Sequence, residues 1–260
     1  MKTKNLLLLL VIVLMMSLSS CKVMYKPGMQ NIPLIKEKGD LTSTLSYNNY
    51  QLAYGLTDQF GIMANGHYNI NEWSSSFDSI SSNEYTTRRW SADLGAGYYK
   101  AFGDNGIFEL YGGGGFGMYD FDYDVFENDE FQSTYEYDAS SWRVFLQPSL
   151  GFVSDNFEVA FSTRFMGVSF FDIAYRNYTE EDLIYEDLND LGTTMYPFIE
   201  PAVTIRAGHK SVKFHIQLIY SKKLTERSLS YMPVNLNIGI NLRISDLFNK
   251  VGEPTLETYD

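Results

Sequence analysis

The sequence has few of the residues that cross-linking and most kinds of site chemistry need. Its single cysteine, Cys21, excludes a disulfide within the chain. The 20 Lys and Arg are outnumbered by 32 Asp and Glu, and a net charge of -12 excludes the basic surface that a nucleic-acid backbone requires. No HExxH, P-loop, GxSxG or paired CxxC motif occurs, so the strong signals of an enzyme or a metal centre are missing. We therefore expect neither an enzyme nor a bound cofactor.

Long apolar runs are also missing, except near the amino terminus. Two lysines precede Leu6–Met16, an apolar stretch of 11 residues that is shorter than the roughly 20 of a membrane-spanning helix. Small residues follow it, which is typical of a secretory signal peptide. Residues 18–21 read LSSC, which resembles the lipobox of bacterial lipoproteins, where the cysteine carries acyl chains such as palmitate and becomes the mature amino terminus. We interpret residues 1–20 as a lipoprotein signal peptide and Cys21 as the lipidated residue; the alternative is an ordinary signal peptide with a chance cysteine.

Residues 21–40 lack any sustained periodicity. They contain Pro27, Gly28 and Pro33, and they end with a charged run at 36–38. We predict that this segment is a tether between the lipid and the first strand. Several acyl chains together would anchor it lastingly, whereas a single chain binds a membrane only marginally.

The rest of the chain is dominated by an alternation of apolar and polar side chains, most clearly in residues 88–121. One arm alternates from Trp90 to Tyr98 and the other from Phe108 to Met118, and a Gly-Asp-Asn-Gly turn separates them. A period of two predicts β-strands, and these arms exceed the roughly 9 to 11 residues that cross a bilayer at a tilt. The ten predicted strands are 41–47, 50–56, 60–70, 88–102, 107–121, 142–152, 157–165, 195–207, 212–220 and 234–244.

The predicted connections differ in length between the two ends of the strands. Short inner turns and longer outer loops are typical of bacterial outer-membrane barrels, and aromatic residues near both strand ends form belts at the membrane interfaces. An even number of strands puts both chain ends on the inner side, where we also expect the lipid. The short turns are 57–59, 103–106, 154–156 and 208–211, with one more at 48–49 on the outer side, and the long stretches are 71–87, 122–140, 172–193 and 222–232.

Residues 41–246 therefore resemble the small outer-membrane β-barrels of Gram-negative bacteria, of the OmpA or porin-like kind, in a lipoprotein version. The turn at 55–60, which reads GLTDQF, is typical of such barrels. The resemblance implies an all-β, antiparallel up-and-down transmembrane barrel of about ten strands, embedded in the outer membrane and anchored through Cys21. The chain departs from this family at its end, because a polar tail at 247–260 replaces the final aromatic residue that helps such barrels to assemble.

A soluble barrel, like a lipocalin, is the alternative fold, since its strands alternate in the same way. In such a barrel the apolar face points inward and the polar face points to water. The long strands, the two aromatic belts and the charged, glycine-rich polar face favour the membrane barrel.

The polar face predicts a charged lumen. Barrels of about eight strands are just filled by their side chains, whereas open channels take about 16. Buried charges are costly unless they are paired, so we expect a polar filling of salt bridges. The alternative is a narrow porin-like channel for small solutes or ions, whose selectivity the same charges would set. The predicted lumen charges are Arg89, Asp93, Glu109, Arg143, Glu158, Arg164, Glu200, Arg206, Lys213 and Arg243.

Two of the predicted outer loops are strongly acidic. Residues 120–138 contain no Lys or Arg, and residues 172–190 contain only Arg176. Such loops can simply form a solvated surface. They can also bind Ca²⁺ or Mg²⁺ that bridges to anionic lipopolysaccharide, or bind a surface or periplasmic protein partner. The candidate cation ligands are Asp120, Asp122, Asp124, Asp129, Glu130, Glu180, Glu181 and Asp182.

His67 is expected to point inward near the outer end of its strand, close to Asp120, Asp122 and Asp124. A ten-stranded outer-membrane protease family uses aspartates and a histidine at its outer rim, so a rim hydrolase is a remote alternative, although its motif does not match residue by residue. The leading expectation is a structural or interaction protein of the outer membrane, surrounded by its lipids and lipopolysaccharide.

Overall fold

A computed structural model describes residues 23–76, 81–128, 130–185, 188 and 191–249. The signal peptide, Cys21, Asp129 and the tail beyond residue 249 lie outside these described residues. Two six-residue helices, α1 (Glu180–Tyr185) and α2 (Ile244–Asn249), accompany the strands, and neither is long and apolar enough to cross a membrane. The described strands are β1 Leu41–Ser46, β2 Asn49–Gly55, β3 Phe60–Ser76, β4 Ser81–Phe102, β5 Gly106–Glu127, β6 Glu130–Val153, β7 Phe157–Arg176, β8 Met195–His209, β9 Val212–Tyr220, β10 Lys222–Lys223 and β11 Val234–Arg243.

These strands form a single antiparallel sheet that closes into a ring. Each long strand pairs with the next long strand along the chain, and β1 closes the ring by pairing with β11, with Leu45 opposite Ile240. The two-residue strand β10 pairs with β8, with Lys222 opposite Ile199. The predicted all-β, antiparallel up-and-down barrel of about ten strands is therefore confirmed, with β10 as an eleventh, minor strand.

Alternation along each strand decides which side chains the ring encloses. In β11, for example, Asn235 and Asn237 are buried, whereas Ile238 and Ile240 are each 50% exposed. The other long strands expose large apolar residues on their outward side and bury most of the lumen charges on their inward side, although apolar residues such as Tyr111, Phe145 and Phe198 are buried inside as well. A soluble barrel of the lipocalin kind has an apolar interior and a polar outside, and the exposed apolar side chains of this ring differ from that arrangement.

Two of the predicted outer loops are strand instead. β4 pairs with β5 over their whole lengths, from Phe102 opposite Gly106 to Ser81 opposite Glu127, and β3 and β6 extend beside them. The predicted loops at 71–87 and 122–140 are therefore wrong. The alternation continues through them, but its outward members change from apolar residues to polar and acidic ones, a composition that is typical of loops.

Candidate functional site

The lumen of the ring is occupied by the amino-terminal part of the chain. Residues 23–35, here called the plug, are mostly buried, although they belong to neither a helix nor a strand of the sheet. The sequence predicted a tether in this segment. The structure places it inside the barrel, from which the chain runs through an exposed stretch at 36–39 to β1.

Side chains from the surrounding strands satisfy the backbone of the plug. Gln217 bonds to both backbone polar groups of Gln30: its Oε1 accepts from the amide at 2.7 Å and its Nε2 donates to the carbonyl at 2.9 Å. Buried backbone groups need hydrogen-bond partners, and here the side chains of the strands provide them. Further side-chain donors to plug carbonyls are Arg89 to Val23, Asn235 to Pro27, Arg164 to Gly28, Gln51 to Met29, Gln147 to Asn31, Arg206 to Ile32 and Arg243 to Leu34.

The plug has a direction in the barrel. The end at which the β3–β4 and β5–β6 hairpins extend is called the long-hairpin end, and the opposite end is called the short-turn end. At the long-hairpin end, the Met24 and Tyr25 amides donate to the Ser230 carbonyl at 3.1 Å each, in the connection between β10 and β11. At the short-turn end, the Gly39 amide donates to the carbonyl of Gly55, the last residue of β2, at 2.8 Å. The plug therefore starts at the long-hairpin end, opposite to the end at which we expected the anchored terminus.

Glu158 is the centre of the charge cluster near the short-turn end. Its carboxylate accepts from Arg206 at 3.0 Å and from Lys213 at 2.7 Å, and it lies 3.5 Å from Arg243. Arg243 also pairs with Asp40 at 3.0 Å. These side chains are almost fully buried. All three cations contact the Glu158 carboxylate, and Arg206 and Arg243 also donate hydrogen bonds to carbonyls of the plug.

A second cluster joins the plug to β7 and β8. Glu200 accepts from Arg164 at 2.7 Å and from the Tyr25 hydroxyl of the plug at 2.6 Å. Across β5, Arg143 of β6 donates to Asp93 of β4 at 2.6 Å. The barrel interior is thus organised around these carboxylates.

Two of the predicted lumen charges have no partner of opposite charge among the described residues. Glu109 is fully buried and accepts from the Ile35 amide at 3.2 Å and from the Ser149 hydroxyl at 3.1 Å, both neutral donors. Arg89 donates to the Val23 carbonyl and lies over the Tyr119 ring, 4.8 Å from its centroid.

The structure does not bring the residues of the proposed hydrolase together. The His67 ring faces the lumen, and its Nδ1 lies 3.2 Å from Asn49 Oδ1. Asp122 lies on the outward side of β5, where it accepts from Arg88 at 2.7 Å. His67 and Asp122 thus lie on opposite sides of the sheet.

The candidate cation ligands on β5 and β6 are spread along the outward face of the long hairpins. Asp120 lies opposite Asp138, and Asp122 lies opposite Glu136. Like charges in these positions repel each other. Arg88 and Arg176 relieve part of the repulsion by pairing with Asp122 and Glu136. Within the described ranges, no three His, Cys, Asp or Glu side chains form a group that could hold a metal ion.

Glu180, Glu181 and Asp182 form the first turn of α1. Thr179 and Asp182 cap this turn reciprocally: the Asp182 carboxylate accepts from the Thr179 amide at 2.9 Å and from its hydroxyl at 2.7 Å. These hydrogen bonds hold the pKa of Asp182 below its usual range. The carboxylate therefore serves the helix as a cap.

Sequence reasoning missed the plug, although one signal for it is present. The stretch from Pro27 to Ile35 contains no charged residue, whereas the run at 36–38 is fully charged. An exposed tether has no reason to avoid charge, so an uncharged stretch that ends at an abrupt charged run indicates burial.

No family model matches the chain, and no curated protein matches it. Among solved structures, the chain is similar to the crystal structure of Acinetobacter baumannii CarO. The two share 11% sequence identity with a TM-score of 0.31, and the match covers 82% of this chain and 100% of that chain. A function for this chain has to come from its own residues.

Proposed function

We propose that this protein is an outer-membrane barrel, anchored by a lipid on Cys21, that is closed by its own plug and serves as a structural or surface-interaction protein. The single observation that carries this proposal is a ring with an apolar outside and a lumen filled by residues 23–35. The apolar outward face is the argument for insertion in a membrane, and the plug is the argument for a closed barrel. The long hairpins provide a surface for partners.

The outward apolar residues form a band of the height that a membrane requires. In β4 the band runs from Tyr98 to Trp90, and in β5 from Phe108 to Met118. Beyond it, Arg88 and Asp120 lie opposite each other and start the charged part of both strands. Segments of about 9 to 11 residues cross a bilayer at a tilt, so the strands have the length to cross it and continue outside. A soluble monomer rarely exposes an apolar band that encircles it.

Aromatic side chains mark both edges of this band. Phe60, Phe102 and Phe157 are exposed near the short-turn end, while Trp90 and Phe116 are exposed near the opposite edge. Aromatic belts at the two levels of the lipid headgroups are typical of membrane barrels. Lipids and lipopolysaccharide are accordingly the proposed neighbours of this surface.

The plug favours a closed barrel over a narrow channel. Its backbone is bonded from several strands, and its side chains Ile32, Leu34 and Ile35 are fully buried. A path for solutes would require these residues to leave the lumen and would expose Glu158 and the cations around it. The structural role is therefore the leading function, and the channel remains the alternative.

The outward face of the long hairpins is the proposed interaction surface. It carries Asp120, Asp122, Asp124, Glu136 and Asp138 beyond the apolar band. This arrangement suits a basic protein partner, because an extended row of carboxylates attracts cationic groups without a gathered metal site. Divalent cations that bridge to lipopolysaccharide are the second candidate, with ligands shared between this surface and the lipid.

The proposed lipid belongs on the same face of the membrane as the long hairpins. Cys21 precedes Val23 by two residues, and consecutive Cα atoms are about 3.8 Å apart, so the anchor has to follow the plug at its long-hairpin end. If the short turns face the periplasm, as in bacterial outer-membrane barrels, the lipid is on the cell surface.

Single-channel recording in planar bilayers tests the closed barrel. We expect no steady openings from the full chain, because the plug occupies the lumen. A variant with residues 24–34 replaced by a Gly/Ser stretch of equal length should show steady openings. The matched control replaces the exposed residues 36–38 in the same way and should stay closed. Steady openings of the unaltered protein, with the same conductance as the plug variant, would contradict the proposal.

A further inference from the structure

We propose that a small cavity beside the plug binds a small inorganic anion of the size of chloride. The cavity has a volume of about 50 Å³ and lies near the long-hairpin end of the plug. Lys26, Arg89 and Arg143 line it, together with His67, Ser91 and Ser141. Three cationic side chains, and no carboxylate among the described residues that line it, thus face one half-open space.

The charges around this cavity do not balance. Arg143 is compensated by Asp93 at 2.6 Å, but neither Lys26 nor Arg89 forms an ion pair within the described part of the chain. Arg89 instead uses a carbonyl and an aromatic ring, which carry no net charge. Arg89 is 8% exposed, and a buried cation without a counter-charge is costly.

The other cations of the lumen provide the contrast. Arg164 pairs with Glu200, Arg206 and Lys213 pair with Glu158, and Arg243 pairs with Asp40. Compensation by a carboxylate is therefore the rule in this barrel, and the cavity at Lys26 and Arg89 is the exception. A bound anion would restore the balance at that place.

Hydrogen-bond donors at the cavity agree with an anion. The Nε–H groups of Arg89 and Arg143 are buried and have no acceptor among the described residues, and both residues are only 8% exposed. Guanidinium groups are donors only, so an acceptor species is the complement that they lack. A cation would be repelled from this site.

The volume limits the class of ligand. A water molecule needs a cavity of roughly 10 to 15 Å³, so about 50 Å³ holds a monatomic anion with one or two waters. A sugar, a nucleotide or a lipid headgroup does not fit. Chloride is the probe that matches this size and charge, and bromide is its heavier analogue.

Bromide soaking of crystals tests the site directly on the full chain. We expect an anomalous peak in the cavity between Lys26 and Arg89. In parallel, urea unfolding in detergent should show a midpoint that rises saturably as chloride replaces gluconate at constant ionic strength. An empty cavity, or equal midpoints in the two salts, would overturn the proposal.

Two variants connect the chloride effect to the residues. Arg89→Gln and, if it folds poorly, Lys26→Gln should each lose the chloride-dependent rise of the midpoint. Arg176→Gln, whose arginine is exposed and paired with Glu136 outside the lumen, should keep it. An unchanged chloride response in both lumen variants would show that the ion acts elsewhere on the protein, and the proposal would be wrong.

Discussion

At the scale of single residues, the alternation predicts which side chains point into the barrel, but it does not predict which of them pair with each other. The period of two places Glu158, Arg206 and Lys213 on the inward face of their strands, and this could be predicted from the sequence. Their pairing could not, because it depends on the register of the three neighbouring strands β7, β8 and β9, which the alternation does not give. Glu109 illustrates the same limit: it lies inside as predicted, but its partners are the plug and a serine.

Glu158→Gln should destabilise the barrel strongly. The substitution leaves Arg206, Lys213 and Arg243 buried around a neutral side chain, and removal of one partner from a buried ion pair typically costs about 3 to 5 kcal/mol. Urea unfolding of the refolded protein in lipid vesicles measures the difference in the free energy of unfolding.

Glu136→Gln is the matched control for this prediction. Glu136 pairs with Arg176 on the outward face of the long hairpins, where the arginine side chain is 70% exposed. Exposed ion pairs contribute about 1 kcal/mol or less, so the variant should unfold almost as the unaltered protein does. If the two variants lose the same free energy of unfolding, burial of the Glu158 cluster does not contribute to stability and the prediction is wrong.

At the scale of elements, the long hairpins show why strand ends were harder to predict than strands. In β5, Tyr119, Phe121 and Tyr123 continue the inward series while Asp120 and Asp122 replace the apolar residues of the outward series. The rings stack across strands, as Tyr85 does on Tyr123 at 4.8 Å and on Trp73 at 5.0 Å. This stacking stabilises the hairpins above the band, and it depends on a register that the sequence does not show.

Neighbouring glycines of β5 should respond differently to alanine. At Gly113, which faces inward, a Cβ atom would meet the Leu94 carbonyl oxygen, the Gly95 Cα at 2.7 Å and the Phe145 ring at 2.7 Å. At Gly112, which faces outward, the nearest atoms are the Phe145 carbonyl oxygen at 3.6 Å and Leu146 Cδ1 at 3.7 Å. We expect Gly113→Ala to cost about 1 to 3 kcal/mol or more, because the neighbouring backbone has to move.

Gly112→Ala should be neutral, or stabilising by up to about 1 kcal/mol, since alanine loses less backbone freedom than glycine on folding. The yield of folded, heat-modifiable barrel on gels and the urea midpoint report on both variants. If Gly112→Ala is as damaging as Gly113→Ala, the close approach of β4 to β5 on the inward side is not what selects glycine here.

At the scale of the whole molecule, the plug closes the lumen and determines at which end of the barrel the amino-terminal segment begins. The amino-terminal segment fills the lumen and starts at the long-hairpin end. In the proposed membrane barrel, the lipid and the acidic hairpins would therefore lie on one face of the membrane. The even number of strands led us to expect the lipid at the short-turn end. That count begins at β1, and it leaves out the plug, which crosses the barrel before β1.

Labelling of introduced cysteines tests this orientation. Tyr185 lies at the long-hairpin end and is 88% exposed. Asp155 lies in the short turn between β6 and β7, at the short-turn end, and its side chain is 70% exposed. We expect a membrane-impermeant maleimide to label Tyr185→Cys on intact cells, and Asp155→Cys only after the outer membrane is permeabilised.

The unaltered protein is the control for the native cysteine, whose thiol is consumed if Cys21 is lipidated. Labelling of Asp155→Cys but not Tyr185→Cys on intact cells would reverse the proposed orientation. The lipid and the long hairpins would then both face the periplasm, since the plug connects them in either case.

The sequence by itself determined the all-β barrel, the number of long strands and the faces within the predicted strands, because a period of two survives in every long strand. Only the tertiary structure decided the occupant of the lumen, the ion pairs within it and the extent of the long hairpins. These features depend on contacts between residues far apart in the chain, such as Gln30 with Gln217. Local periodicity carries no information on such contacts, so the plug had to be found in three dimensions.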